Sequence, residues 1–488
     1  MSSGEPTIFA AVRSASTETI QSGDRDLRRV LGRSQVLAIV VGAILGTGIY
    51  IRPASIAQLM GSSTAILGVW LAAGVLSLCG ALTYAQLAMR ISGTGGEYQY
   101  LQATLGRLPA FLFGWMRLTV GPAVIAALAV ACTVFVSDVA PIGGPWVHWT
   151  LPWGNGATYL DVGPRQAIAV TIITGLAWVN SRGVRTAGGF QLAVTLLKVV
   201  GLLAVVSAIV IFGHSNPDSP AALAPAAQTG ALTTSAAVLA AMSAYNGWAN
   251  AAMVAGEIRD PTRVLPWALV LGVGLVTILY LATNAVFLQV LPLPDIATAN
   301  STAYPTAPSV ASKAIRLALG SHTAAALPVL LSLSALGAAH CNVLAVPRVL
   351  FSMARDGLLP RSLGLVATHS GTPNRAISTF AAVAAVFAVV GSYDRLTNMT
   401  AFSFLLFFAL TAFGFLLSQR ATPKSARDPR FWLTTAIAAV FLCGSVWLIV
   451  AITLRGSVEV LAAIGLVSFG LPIFGLIEVL RGRDTPPS

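Results

Sequence analysis

Apolar runs of about 18 residues or more, long enough for a helix to cross a bilayer, recur along almost the whole chain. Bounded by turn residues, they predict about twelve spanning helices, near 34–58, 64–89, 108–138, 165–180, 189–212, 234–257, 266–290, 324–354, 374–391, 396–418, 431–454 and 457–480. Only 9% of the 488 residues are charged and the mean hydropathy is +0.79, whereas soluble chains carry about a quarter of charged residues. Water is therefore not the main solvent of this surface, and the expected fold is an all-α membrane protein.

The 29 Lys and Arg outnumber the 17 Asp and Glu, but no run of basic residues interleaved with aromatics occurs, which excludes a nucleic-acid partner. Basic residues collect instead in alternate loops. The N-terminal tail (Arg13, Arg25, Arg28, Arg29, Arg33) and segments 89–108, 181–188, 258–265, 355–375, 419–430 and 481–488 hold most of them. Segments 139–164 and 213–233 hold none. The positive-inside rule then predicts both termini in the cytoplasm of a multi-pass protein of the plasma (inner) membrane. Trp146, Trp149, Trp153 and Tyr159 lie in an outer loop, where amphipathic rings settle at the interface. Residues 1–33 lack an apolar stretch and a cleavage site, and read as a disordered cytoplasmic tail. Cys79, Cys132, Cys341 and Cys443 fall in apolar runs without paired spacing and read as core thiols, neither disulfides nor metal ligands. No cofactor or metal is expected.

Two spans are poor continuous helices. Gly42, Gly46 and Gly48 sit in the middle of the first, each costing about 1 kcal/mol relative to Ala in a helix. The sixth carries Tyr245-Asn-Gly-Trp248 and Asn250 at membrane depth. Interrupted helices five spans apart are the mark of an inverted repeat with its substrate site at the midplane. The organisation expected is a repeat over 34–212, its inverted partner over 234–418, two added helices over 431–480 and a cytoplasmic tail over 481–488. The competing reading, glycines that only let helices pack closely, is weaker, because unwound backbone at this depth must be buried in protein or line a cavity.

A half-helix starting at Gly46, Thr47 and Gly48 presents free N–H groups and a positive dipole end, which suit a carboxylate. Carbonyls freed near Ala43, Ile44, Ser243, Ala244 and Asn246 suit an ammonium. A zwitterionic α-amino acid carries both groups.

These residues resemble the amino acid-polyamine-organocation superfamily, and within it the L-type amino acid transporters and their bacterial relatives. The resemblance covers Arg33 to about Arg420 and rests on Gly42-Ala-Ile-Leu-Gly-Thr-Gly-Ile-Tyr50, Ser92-Gly-Thr-Gly-Gly-Glu-Tyr98, Tyr245-Asn-Gly-Trp248, Gly256-Glu-Ile-Arg-Asp-Pro261 and Arg348-Val-Leu-Phe-Ser-Met-Ala-Arg-Asp-Gly-Leu-Leu-Pro360. It implies five-plus-five inverted repeats with two added helices. It places the substrate carboxylate on Gly46, Thr47 and Gly48 and the amine on carbonyls of Ile44, Ser243, Ala244 and Asn246. It also implies a side-chain pocket of Val124, Leu128, Tyr245, Leu336 and His340. Many relatives have a bulky aromatic where Ser243 stands and Asn where Ala249 stands, so the outer closure differs here. Some relatives that prefer cationic substrates have Asp where Asn246 stands, and the amide here favours neutral substrates.

Lys198 is the one lysine deep in an apolar span, where an ammonium needs carbonyl or carboxylate partners. The resemblance sets it against the unwound first helix, as a fixed cation where sodium-coupled relatives bind an ion; snorkelling to an interface is the alternative. His340 reads equally as a core residue bonding a carbonyl and as a substrate contact or proton shuttle. Arg117, near Trp115 in the third span, reads as a structural residue at the cytoplasmic side rather than as a substrate ligand.

The function expected is secondary transport of amino acids, sodium-independent, by exchange or by proton coupling. A cationic amino acid or polyamine permease and a nontransporting sensor are the alternatives. An intramembrane enzyme finds no motif in support. Mammalian L-type transporters link to a heavy chain through a cysteine after the third span, and 139–164 has none, so no disulfide-linked partner is expected. Asn300-Ser-Thr302 is a glycosylation sequon of a kind common by chance.

Overall fold

The computed structural model describes residues 27–484 apart from 92, 138–139, 141, 152–157, 214–229, 302, 305–306, 321–325, 391–392, 422, 424, 426 and 456–457. The expected disordered tail as far as residue 26, Trp153, Thr302 of the sequon and residues 485–488 lie outside the described residues, as does the side chain of Tyr159.

Among the described residues nine helices are long and apolar enough to cross a membrane. With the three shorter helices below they make up the twelve expected spans. The first is Arg33–Ile44 followed by Gly48–Met60, the second Ser63–Arg90, and the third Arg107–Thr119 followed by Gly121–Ser137. Pro164–Ser181 and Val184–Phe212 are the fourth and fifth. The sixth is Ala231–Tyr245 with the single turn Asn250–Met253, and the seventh is Pro261–Val290. The eighth runs as Ala326–Ala345 and Pro347–Arg355, with Pro347 at the joint, where its missing N–H interrupts the ladder. Asn374–Val390, Tyr393–Arg420 and Pro429–Leu454 are the ninth to eleventh, and Val458–Ser468 with Gly470–Asp484 forms the twelfth. The last helix thus runs into the segment read as a C-terminal tail.

Packing follows the internal repeat. The Gly48–Met60 half of the first span lies on the sixth, and the second, third and fourth lie on the seventh, eighth and ninth. The cross-contacts are reciprocal: the Arg33–Ile44 half of the first span meets the seventh as the sixth meets the second, and the fifth meets the eighth as the tenth meets the third. Five spans separate each pair, an odd number, so each helix runs opposite to its counterpart. These contacts are close because residues are small where backbones approach. A Cβ at Gly74 of the second span would lie 2.5 Å from Thr277 of the seventh, and one at Gly48 would lie 2.7 Å from Ala244.

One feature of the 139–164 segment departs from a plain loop. Val147–Leu151 and Thr158–Val162 pair as an antiparallel hairpin with Trp149 opposite Leu160. Trp146 and Trp149 stay exposed, 69% and 65%, in keeping with an interfacial position.

Candidate substrate site

The first span unwinds at residues 45–47. Its last regular bond runs from the Leu45 N–H to the Val41 carbonyl, 2.8 Å. A continuous helix would next join the Gly46 N–H to the Gly42 carbonyl. Instead Leu45 adopts φ −71°, ψ 72° and the Gly46 N–H donates to the Ile44 carbonyl at 2.7 Å, an inverse γ-turn. The Gly42 carbonyl is thereby freed, and the Lys198 ammonium donates to it at 2.8 Å. Lys198 is fully buried among protein atoms, so its side chain does not snorkel.

The sixth span unwinds at residues 246–249. Asn246 is extended, and Gly247 has φ +121°, a conformation only glycine takes without strain. Gly247 lies against the first break, where an added Cβ would come within 2.8 Å of the Ala43 carbonyl oxygen. The two breaks therefore face each other.

Between them and the third, eighth and tenth spans lies a cavity of about 700 Å³. Its floor includes Gly46, Thr47, Gly48, Ser243, Ala244, Asn246 and Asn342, and its apolar walls include Val124, Leu128, Phe404 and Phe408. The cavity reaches the surface beside the exposed Arg455, on the side away from the N-terminal segment. Among the described residues, the charged lining residues are Arg52, Arg117 and Arg455, all cationic.

Three residues expected in the side-chain pocket stand behind the wall. Tyr245 packs on Trp70 and Tyr280 and donates to the Trp70 carbonyl at 3.3 Å. Leu336 packs against the cluster of Ala131, Cys132 and Ala335 and is not among the cavity-lining residues. His340 is buried against Phe190, and its Nδ1 meets Gln191 Oε1 at 2.7 Å. Gln191 donates to Thr195, and Thr195 to the Ala38 carbonyl. His340 therefore belongs to a polar ladder joining the fifth and eighth spans to the Arg33–Ile44 half of the first, because helical phase turns it away from Ala338 and Asn342, which do line the cavity.

Two backbone groups expected to meet substrate are already paired. The Gly46 N–H is held in the γ-turn, which leaves Thr47 and Gly48 as donors at the half-helix start. The Ile44 carbonyl accepts from both Gly46 N–H and the Tyr280 hydroxyl, the latter at 2.9 Å. Tyr280 also lies 3.2 Å from the Ala244 carbonyl. Nothing in the sequence singled out Tyr280, which sits in an unbroken apolar helix without a motif.

The side bearing the N-terminal segment is sealed. Arg348 donates through Nε and Nη2 to both oxygens of Glu257, at 3.1 and 3.0 Å, with both side chains fully buried. The Val30 and Leu31 N–H groups donate to the Glu257 carbonyl, and Arg259 N–H to that of Leu31. The Gly95 N–H donates to the Met253 carbonyl at 2.9 Å, while the Ser352 hydroxyl donates to that of Thr94 at 2.6 Å. Between seal and cavity, Arg117 Nη2 donates to Asn250 Oδ1 at 2.8 Å, and the Asn250 amide faces Asn342 Oδ1 at 3.3 Å. Arg117 thus stands at the cavity floor rather than in a purely structural position.

The Amino acid permease family model matches residues 31–469. The serine/threonine exchanger SteT of Bacillus subtilis is 31% identical over 402 residues, 82% of this chain and 85% of that protein. The human b(0,+)-type amino acid transporter 1 is 28% identical across 83% of this chain and 78% of its own length. The human cystine/glutamate transporter is 27% identical across 85% of this chain and 78% of its own. A cavity between two broken helices in a twelve-span bundle, matched over nearly its whole length by these carriers, is that of an integral membrane transporter, and the chain belongs to the amino acid permease family.

Proposed function

We propose that this permease moves neutral α-amino acids by alternating access, without sodium, with the sealed side facing the cytoplasm of the plasma (inner) membrane. The structure then represents the outward-open state. The observation that carries the substrate class is the charge of the cavity: among the described residues its charged lining side chains are Arg52, Arg117 and Arg455, with no acid among them. A cationic side chain would enter without a counter-ion, at a cost far above that of a neutral one.

The carboxylate sits at the start of the half-helix, on the Thr47 and Gly48 N–H groups, with Gly46 joining if its γ-turn opens. The ammonium sits on carbonyls at the end of the sixth-span half-helix, Ser243 and Asn246, and displaces the Tyr280 hydroxyl to use Ile44 or Ala244. Val124, Leu128 and the tenth-span phenylalanines receive the side chain. Lys198 holds the first break open from behind. The relative named a serine/threonine exchanger agrees with a neutral substrate. Segment 139–164 lacks the cysteine that a covalent heavy chain requires, so the chain works without one.

The test is counterflow of labelled amino acids into liposomes holding purified protein. Neutral amino acids should exchange and lysine, arginine and putrescine should not. Methyl esters and N-acetyl analogues should compete at least tenfold more weakly, the loss of about 1.4 kcal/mol or more expected when a charge-assisted bond is removed. Competition equal to that of the parent amino acid would refute recognition by the two backbone ends.

A further inference from the structure

Glu97 begins the short helix Glu97–Leu105 between the second and third spans, within the Ser92–Tyr98 motif, and is 2% exposed. An ionised carboxylate offers about four acceptor sites, yet Glu97 is met only by the Thr411 hydroxyl, its Oγ1 3.1 Å away, and by the Tyr84 hydroxyl facing it. The nearest cation, Arg117, makes no ion pair with it. Its guanidinium turns toward Asn250 of the broken sixth span and lies 5.0 Å from the Phe404 ring centre, and its Nε is buried without a partner. A buried acid and a buried base thus stand near each other without pairing, one on the seal and one on the cavity floor.

We propose that the Glu97 carboxyl is a proton-binding site, loaded while the cavity is open and emptied when the sixth span carries Asn250 away and frees Arg117 to pair with Glu97. The proposal deepens the permease reading and rests on it. One proton from water on the open side forms the Oε–H bond. That bond breaks to water on the N-terminal side once the carboxylate gains the guanidinium as counter-ion, so one proton crosses with each amino acid.

The geometry ties this charge to the seal. Gly96, directly before Glu97, has φ +54°, and an added Cβ would lie 2.6 Å from Ala252, while the Gly95 N–H donates to Met253. The loop carrying the acid is therefore docked on the same turn of the sixth span that holds Arg117 through Asn250. The titratable and charged groups facing Glu97 are Tyr84 of the second span, Tyr100 of its own helix and Arg117 of the third, and the tenth presents the neutral Thr411. Burial raises the carboxyl to about 7, against the lowering pull of Tyr84, Arg117 and Thr411. The acid is protonated below that pH and charged above it, so loading falls as the outside pH rises through 7.

The test uses full-length protein in liposomes with a trapped pH dye, L-serine as substrate and the voltage clamped by potassium and valinomycin. Serine added outside should acidify the lumen, and uptake should fall as the outside pH rises through about 7. Glu97→Gln should abolish the acidification. Thr411→Val removes a bond that favours the charged form, so its uptake profile should move to higher pH by about one unit. Serine counterflow without a pH gradient tests the permease reading separately. Acidification that persists in Glu97→Gln, counterflow by the native protein without any acidification, or an unmoved Thr411→Val profile would overturn the proposal. The Thr411 variant and the native measurement decide it even if the Glu97 variant does not fold.

Discussion

Breaking the Glu257–Arg348 pair should turn the protein toward a form open on the side of the N-terminal segment. Both side chains are fully buried and joined by two hydrogen bonds of 3.0 and 3.1 Å. Arg348→Met leaves the carboxylate buried without its counter-ion, which costs about 3–5 kcal/mol when one partner of such a pair is removed. Opening the sealed side hydrates Glu257 and relieves that cost, so only the closed state bears it. An equilibrium moved by that amount changes roughly 150- to 5,000-fold. The readout is a single cysteine, Leu239→Cys, on the cavity wall of a protein whose four native cysteines are replaced. A membrane-impermeant maleimide added from the cavity side should label it rapidly in the parent and much more slowly in Arg348→Met. Glu257→Gln with Arg348→Met should recover much of the labelling, because the orphaned charge is gone. Unchanged labelling in a correctly inserted Arg348→Met protein would mean that the pair persists in both states, and the seal would then not be what this pair controls.

Lys198→Ala should insert normally and lose most transport, since the Gly42 carbonyl loses its 2.8 Å donor; uptake by the native chain should be the same in choline as in sodium at constant pH. Normal transport by the variant, or collapse without sodium, would remove the fixed-cation reading. Gly247→Ala should reduce uptake at least tenfold, because φ +121° strains any side chain and the new methyl meets the Ala43 carbonyl; a variant with native uptake would show that the two breaks do not need this contact.

The sequence disclosed the fold and the break positions because both follow from one-dimensional signals. Apolar length sets the spans, and three glycines in the first helix and Asn-Gly in the sixth set the interruptions. That Lys198 needs a carbonyl or carboxylate partner was legible, whereas its place against the first helix came from the family resemblance; the ammonium meets the Gly42 carbonyl. Which residues face the cavity was not legible, because it depends on helical phase and tilt. Leu336 and His340 were expected at the pocket, whereas Ala338 and Asn342 of the same helix line it. Tyr280 and Arg117 escaped for another reason: their roles arise from partners 236 and 133 residues away in sequence. The hairpin at 147–162 was read as loop since its strands are five residues each, too short for alternation to stand out against the neighbouring apolar runs.

The γ-turn at Leu45 and the Tyr280 hydroxyl bear on how fast such a carrier can cycle. Together they give the Gly46 N–H and the Ile44 carbonyl partners of their own, so an amino acid that uses these groups exchanges existing bonds for new ones and gains only the difference. Binding is then shallow relative to the number of contacts formed, and the same bonds reform behind a departing substrate. A receptor that holds its ligand would be poorly served by this arrangement. A shuttle that must let go on the far side as readily as it captured on the near side is served well, because neither the occupied nor the vacant site sits in a deep energy well.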